Sequence, residues 1–179
     1  MRRLWTSWLD TTSVLSFAIL VTFFSQIGPS AGRAEGLSAP TGDVLLTISG
    51  EIAHTNAGDT AEIDYEMLAA LPAQVIVTST PWTEGETEFT GAALSDVLDM
   101  VGAQGTILHA VALNNYLVEI PVSDANDQAP IIAYLQDGNR MPVRNKGPLW
   151  VIYDFDDLPG DEEIYFVRAI WQLSRIEVR

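Results

Sequence analysis

The chain has 179 residues, 47% of them apolar and 18% charged, with no cysteine and a formal net charge of −15. That length suits one domain, at roughly 100–200 residues per domain, and the apolar fraction supports a packed core rather than general disorder. The acidic balance argues against a nucleic-acid binder, because a phosphate backbone would be repelled. The lack of cysteine excludes disulfides, thiolate zinc sites, iron–sulfur clusters and thiol nucleophiles.

Residues 1–34 carry the pattern of a secretory signal peptide. Arg2 and Arg3 open the chain, an apolar run follows from Ser13 to Phe24, and small residues lead to Gly32, Arg33 and Ala34. The run is short beside the ~20 apolar residues of a membrane-spanning helix. An uncleaved anchor is the other reading, kept open by Asp10, Trp5 and Trp8. Under both readings the rest of the chain is exported, so a periplasmic location is expected. Cleavage after Ala34 removes Arg2, Arg3, Arg33 and Asp10, leaving six basic and 23 acidic residues and a net charge of −17. About 145 residues remain, enough to hold a fold by core packing alone.

Residues 35–43 (EGLSAPTGD) read as a flexible leader rich in Gly, Pro and Ser. No internal repeat follows, and one domain is expected over 44–179. Val44 to Ser49 reads as a strand. Asp64 is placed to cap a short helix, YEMLAAL, which stops at Pro72. Gln74 to Thr80 reads as a second strand. Between Gly91 and Val101, Leu94, Val97, Leu98 and Val101 have the i, i+3, i+4, i+7 spacing of an amphipathic helix, with Gly102 as its stop. Strand-like runs follow at Ile107–Leu113, Tyr116–Ile120, Ile131–Leu135 and Leu149–Tyr153. Asn114-Asn115 and Asp137-Gly138 mark turns between them. The stretch from Phe166 to Val178 reads as strand-rich. Strands outnumber helices and do not alternate with them, which predicts an α+β fold with mixed sheets and a few short helices.

The sequence contains no GxSxG elbow, Walker loop, Rossmann glycine pattern or HExxH helix. His54 and His109 have no partner at metal-ligand spacing, so both read as structural. Asp154, Asp156, Asp157, Asp161, Glu162 and Glu163 form an acidic run whose spacing does not match a twelve-residue calcium loop. It reads as a solvated or partner-facing loop. Against this background the cations stand out: Arg140, Arg144 and Lys146 fall within seven positions. They suit an oxygen-rich anionic ligand, and equally suit surface pairs with carboxylates. Trp82 follows Pro81 in a polar loop after a strand, beside Thr80. An aromatic there either stacks on a flat ligand or folds back on the core. Asn114, Asn115 and Tyr116 at a strand junction are either ligand contacts or plain turn residues.

Five segments in order resemble the molybdopterin-binding domain of the sulfite oxidase family. They are the strand leading into TSTPW, FTGAALSDVLDMVGA, LNNYLVEIPVSDA, IIAYLQDGNRMPVRNKGPLWVIY and the terminal WQLSRIEV. KGPLW takes the place of the family's H-G-x-P segment, which helps to hold the cofactor. Catalytic members hold molybdenum through a cysteine that falls near Thr78 here. A threonine hydroxyl is a poor replacement for a soft thiolate. The resemblance therefore implies a sulfite oxidase-like fold that binds a pterin, with molybdopterin less favoured and no molybdenum expected. It is most similar to the cysteine-less periplasmic pterin-binding proteins, which act as ligand-loaded regulators. Their partners are the periplasmic domains of membrane enzymes that make or break cyclic diguanylate. The implied pterin-binding set is Trp82, Thr80, Asn115, Tyr116, Asp137, Arg144 and Lys146. The alternative is a molybdopterin-dependent oxidoreductase with a non-cysteine metal site.

Overall fold

The alternating runs of the sequence close into two sheets, seen in a computed structural model that describes residues 36–127, 129–158 and 162–179. Residues 1–34, read as a signal peptide, lie outside the described residues, as does Asp161. In chain order β1 spans Val44–Gly50 and β2 Ala61–Asp64. Asp64 then caps α1 (Tyr65–Ala69), its Oδ1 accepting the Met67 N–H at 2.9 Å. Its Oδ2 accepts the N–H groups of Thr41 at 2.6 Å and Gly42 at 2.8 Å. The segment before β1 is thereby tied to the domain. Donation from Met67, then from Gly42 and Thr41, holds the Asp64 carboxyl down at about 2.

Next come β3 (Ala73–Ser79), β4 (Glu86–Ala93) and α2 (Leu94–Val101). The four apolar positions of the predicted helix are all buried, and Gly102 closes it in the left-handed region at φ 61. The helix begins three residues later than the sequence suggests, because Gly91 to Ala93 belong to β4. The reason is a close approach of two strands. A Cβ on Gly91 would overlap the Ile132 carbonyl oxygen and sit 2.7 Å from the Ala133 Cα, so only glycine fits where β4 crosses its neighbour.

The chain continues through β5 (Ile107–Ala112), β6 (Leu117–Pro121), α3 (Asp124–Asp127), β7 (Ile131–Gln136) and β8 (Asn139–Arg140). A single 3-10 turn at Val143–Asn145 leads to β9 (Trp150–Ile152), α4 (Glu162–Arg168) and β10 (Leu173–Val178). The stretch from Phe166 is thus the end of a helix and then a strand. Glu163 in its first turn and Arg168 at its end match the helix dipole, a signal that the aromatic content of IYFV obscures.

The first sheet runs β2-β1-β10-β5-β6, with β1 and β10 parallel and the other pairs antiparallel. The second runs β3-β4-β7-β8, and β9 also pairs with β7. This is the mixed α+β architecture that the strand count predicts. The main core fills the space between the sheets with Leu46, Ile48, Leu108, Ile132, Val151 and Ile176, closed by α2. A smaller cluster of Phe89, Ile131, Ala133, Met141, Trp150 and Ile152 covers the other face of the second sheet.

Candidate functional site

The loop after β3 brings the first site residue into place. The Trp82 N–H donates to Thr80 Oγ1 at 3.1 Å, and Thr80 Oγ1 shares a 2.8 Å hydrogen bond with Thr83 Oγ1. Lys146 Nζ donates to the Trp82 carbonyl at 3.3 Å. Thr80 and Lys146 therefore grip the backbone that presents the indole. Trp82 packs against both apolar clusters and meets four aromatic rings edge-on or tilted. Trp171 lies 5.4 Å away, Phe166 5.7 Å, Trp150 5.9 Å and Phe155 6.2 Å. Trp82 is half-buried against these rings, as the core reading expects, and it also lines a cleft.

That cleft has a volume of about 440 Å³, within the ~300–1,000 Å³ usual for small-molecule sites. Trp82, Phe166 and Trp171 form its aromatic wall, and Asn114 and Tyr116 supply an amide and a phenol. Tyr116 is 53% exposed and Trp171 37%, so polar and aromatic surface meets solvent at the mouth. Tyr116 is held at the β5–β6 turn, where its N–H donates to Asn114 Oδ1 at 3.0 Å. Phe166 and Trp171 come from α4 and the bridge that follows it. Sequence reasoning passes over both because it reads this stretch as strand.

The other proposed residues sit elsewhere. Asn115 occupies the left-handed region at φ 66 and accepts from Arg175 Nη2 at 3.0 Å, outside the cleft wall. Asp137 stands in the β7–β8 turn and accepts the Glu88 N–H at 3.2 Å. Arg144 is exposed on the 3-10 turn. Arg140 stacks on Tyr65, its guanidinium carbon 3.5 Å from the ring centroid. The three clustered cations thus have three separate settings.

A buried network braces the wall of the cleft. Asp124 Oδ2 accepts from the Tyr153 hydroxyl at 3.0 Å and from Arg168 Nη1 at 2.9 Å, tying α3 and the residue that follows β9 to the end of α4. Burial, and then the Asp124 charge, push the Tyr153 hydroxyl upward, so it stays a donor.

Thr78, which the family resemblance sets near the metal-ligand cysteine, is fully buried in β3. Its Oγ1 accepts the Asp156 N–H at 3.3 Å, and it does not line the cleft. A hard, neutral hydroxyl already engaged in this way does not fit a thiolate-type metal bond. Among the described residues no group of three or more His, Asp or Glu side chains is placed to hold a metal ion. The aromatic cleft, with its few polar groups, does fit a flat heterocycle. His109 lies in β5 with Nε2 3.4 Å from Glu119 and Nδ1 4.0 Å from Glu177. His54 Nδ1 is 3.1 Å from the Met100 carbonyl. Asp156 of the acidic run accepts the Ser79 N–H at 2.8 Å, which makes it a strand cap.

No curated protein matches the chain. Among solved structures, the sulfane dehydrogenase SoxCD from Paracoccus pantotrophus is similar in fold, with a TM-score of 0.53 at 17% identity. The match covers 74% of this chain but 37% of that one, so the chain spans little more than a third of its structural relative. Residues 55–178 match the family described as the oxidoreductase molybdopterin binding domain. That stretch is more than half of the chain and holds both sheets' central strands, the Trp82 loop and the aromatic cleft, and the chain belongs to this molybdopterin-binding domain family.

Proposed function

We propose that the chain is an exported binding protein whose aromatic cleft holds a flat pterin ring for recognition rather than oxo-transfer. One observation carries the reading. The chain has a formed aromatic cleft, and Thr78, which the family resemblance sets near the metal-ligand cysteine, is a buried hydroxyl already engaged with the Asp156 N–H. Trp82 and Trp171 offer the stacking surface, worth about 0.5–1.5 kcal/mol for an aromatic pair. Asn114 and Tyr116 meet the polar edge of the ring. Family membership supports a pterin-type cofactor.

The loaded protein would dock on the periplasmic domain of a membrane diguanylate cyclase or phosphodiesterase. Tyr116 and Val167 support this step: both line the cleft and are more than half exposed. A ring bound there changes the surface that a receptor meets, and it biases docking by its difference in affinity between the two states.

The test is identification by mass of what co-purifies with the protein from the periplasm. A pterin is expected. Trp171→Ala, at a partly exposed position, should lower retention at least ten-fold with little change in melting temperature. Trp82→Ala should abolish retention, at some cost in stability. Repeated isolation without any pterin would sink the reading. The family's description and the name of its structural relative favour a second reading, an oxidoreductase with a non-cysteine metal site. Stoichiometric molybdenum in the isolated protein would select it.

A further inference from the structure

β3 is the outermost strand of the second sheet, and among the described residues it pairs only with β4. The Ser79 N–H points away from β4, since it donates to Asp156 Oδ2 at 2.8 Å. Backbone groups alternate sides along a strand, so the N–H and C=O of Ala73, Val75 and Val77 face the same open edge. Val75 is 57% exposed and Val77 52%, and the strand AQVIVTS contains no charge and no proline. Edges of this kind template pairing with another chain unless charge, proline, a bulge or a cover blunts them. Among the described residues the blunting is local: Asp156 seals the Ser79 end alone.

We infer that two copies of this chain pair edge to edge through β3, antiparallel about a two-fold axis at Val75. In this register Val75 faces Val75 of the second copy, and Ala73 faces Val77. Six backbone hydrogen bonds form, and the exposed valines merge into one apolar strip. Both ends of the strand fix the register. Sliding by two residues one way would set Ala73 opposite Ser79, whose edge the carboxylate already occupies, and the other way would set Val77 opposite Leu71, which precedes the strand and donates its N–H to the Leu68 carbonyl. A chain of net charge −15 resists its own approach, and the Asp156 carboxylate stands at the Ser79 end of the edge, but the paired segment from Ala73 to Val77 carries no charge. Glu86 and Glu88 lie one strand inward on β4. In the dimer the two β4 strands stand three spacings apart, about 14 Å, beyond the ~8 Å screening length at physiological salt.

The inference is independent of what fills the cleft. Its test is sedimentation velocity on the full chain across a concentration series. A concentration-dependent dimer is expected, strengthened by added salt. Val75→Lys, at an exposed position, should weaken it at least ten-fold without lowering the melting temperature. Val75→Cys adds the sole thiol to a cysteine-free chain. The paired Cα atoms would lie about 5.5 Å apart, within the range a disulfide spans. Mild oxidation should therefore give a linked dimer. A monomer at every concentration overturns the proposal, whatever else covers the edge. A dimer undiminished in Val75→Lys, as association through the N-terminal segment would give, overturns it as well.

Discussion

The two sheets distribute their apolar residues differently, and the cleft draws on the edges of both: Trp82 from the loop after β3, and Ala112, Asn114 and Tyr116 from β5 and the turn that follows it. In the first sheet, β5 alternates buried and half-exposed positions along its length, and β1 and β6 do the same. One face meets the core and the other carries polar groups such as His109, Glu119 and Glu177. In the second sheet, β9 is buried throughout, as are four consecutive residues of β7. Its far face is covered by the Trp82 loop and by the segment around Met141. The covering loop of the second sheet supplies the Trp82 indole to the cleft, and the first sheet supplies an amide and a phenol from the end of β5.

The largest expected effect comes from breaking the doubly covered sheet. Trp150 is fully buried, and its indole N–H donates to the Ala169 carbonyl at 3.1 Å. Trp150→Ala should cost about 3–5 kcal/mol, read by urea denaturation. It should also loosen the cleft, because Trp150 touches Trp82 and Trp171. Gly91→Val belongs in the same class, since the side chain has no room against Ile132 and Ala133. A variant of either kind with wild-type stability would show that the second cover contributes little.

A smaller loss sharpens the link between fold and cleft. Asp124→Ala removes the acceptor shared by Tyr153 and Arg168. Leaving the buried phenol unpartnered and freeing the guanidinium should cost about 2–3 kcal/mol. Tyr153→Phe, which removes one bond and no charge, should cost about 1 kcal/mol. Hydrogen exchange should rise at residues 165–170 in the first variant and stay near wild type in the second. Equal effects would argue against Asp124 as the brace of α4.

Much of this arrangement is legible in the chain, and the illegible part has a physical cause. Period-two and period-3.6 patterns locate β1, β5, β6 and α2 because each has one wet side. Asp64 and Gly102 show as caps through local chemistry alone. β4 is hidden because TEGETEFTG alternates charge with small residues, and its buried positions are Thr87, Phe89, Gly91 and Ala92. α4 is hidden by its aromatic content. Trp82, Asn114 and Tyr116 stand out as candidates for a site, but Phe166 and Trp171 do not. Their place in the wall depends on a helix and a bridge set by tertiary packing. Arg144 and Asp137 attract notice by charge and turn chemistry, yet sequence cannot say which side of a turn faces a cleft.

The acid limb tests the link between the leader and the first sheet. The Asp64 carboxyl is depressed to about 2 in the fold, against ~3.9 in an unfolded chain. A depressed carboxylate contributes stability that is complete above the unfolded value and is lost as pH falls through the folded one. Stability should therefore decline between about pH 4 and 2. Asp64→Asn should flatten that limb while lowering stability at neutral pH. An unchanged limb would assign acid sensitivity to other carboxylates.

The smallest effect belongs to the wet face of the first sheet. His109 sits between Glu119 and Glu177, but those side chains are 67% and 44% exposed, at 3.4 and 4.0 Å. Water and salt screen such contacts, and exposed pairs are worth about 0–1 kcal/mol. Glu119→Gln should shift stability by no more than about 0.5 kcal/mol, and 1 M salt should erase the difference. The comparison becomes sharpest here. His109 and Trp150 both sit in strands, yet one contacts charges across a solvated face and the other fills a sealed one. A loss above 2 kcal/mol for Glu119→Gln would mean that the outer face of the first sheet is covered in solution. The one-sided alternation that makes this sheet readable would then describe a second interface rather than a solvent boundary.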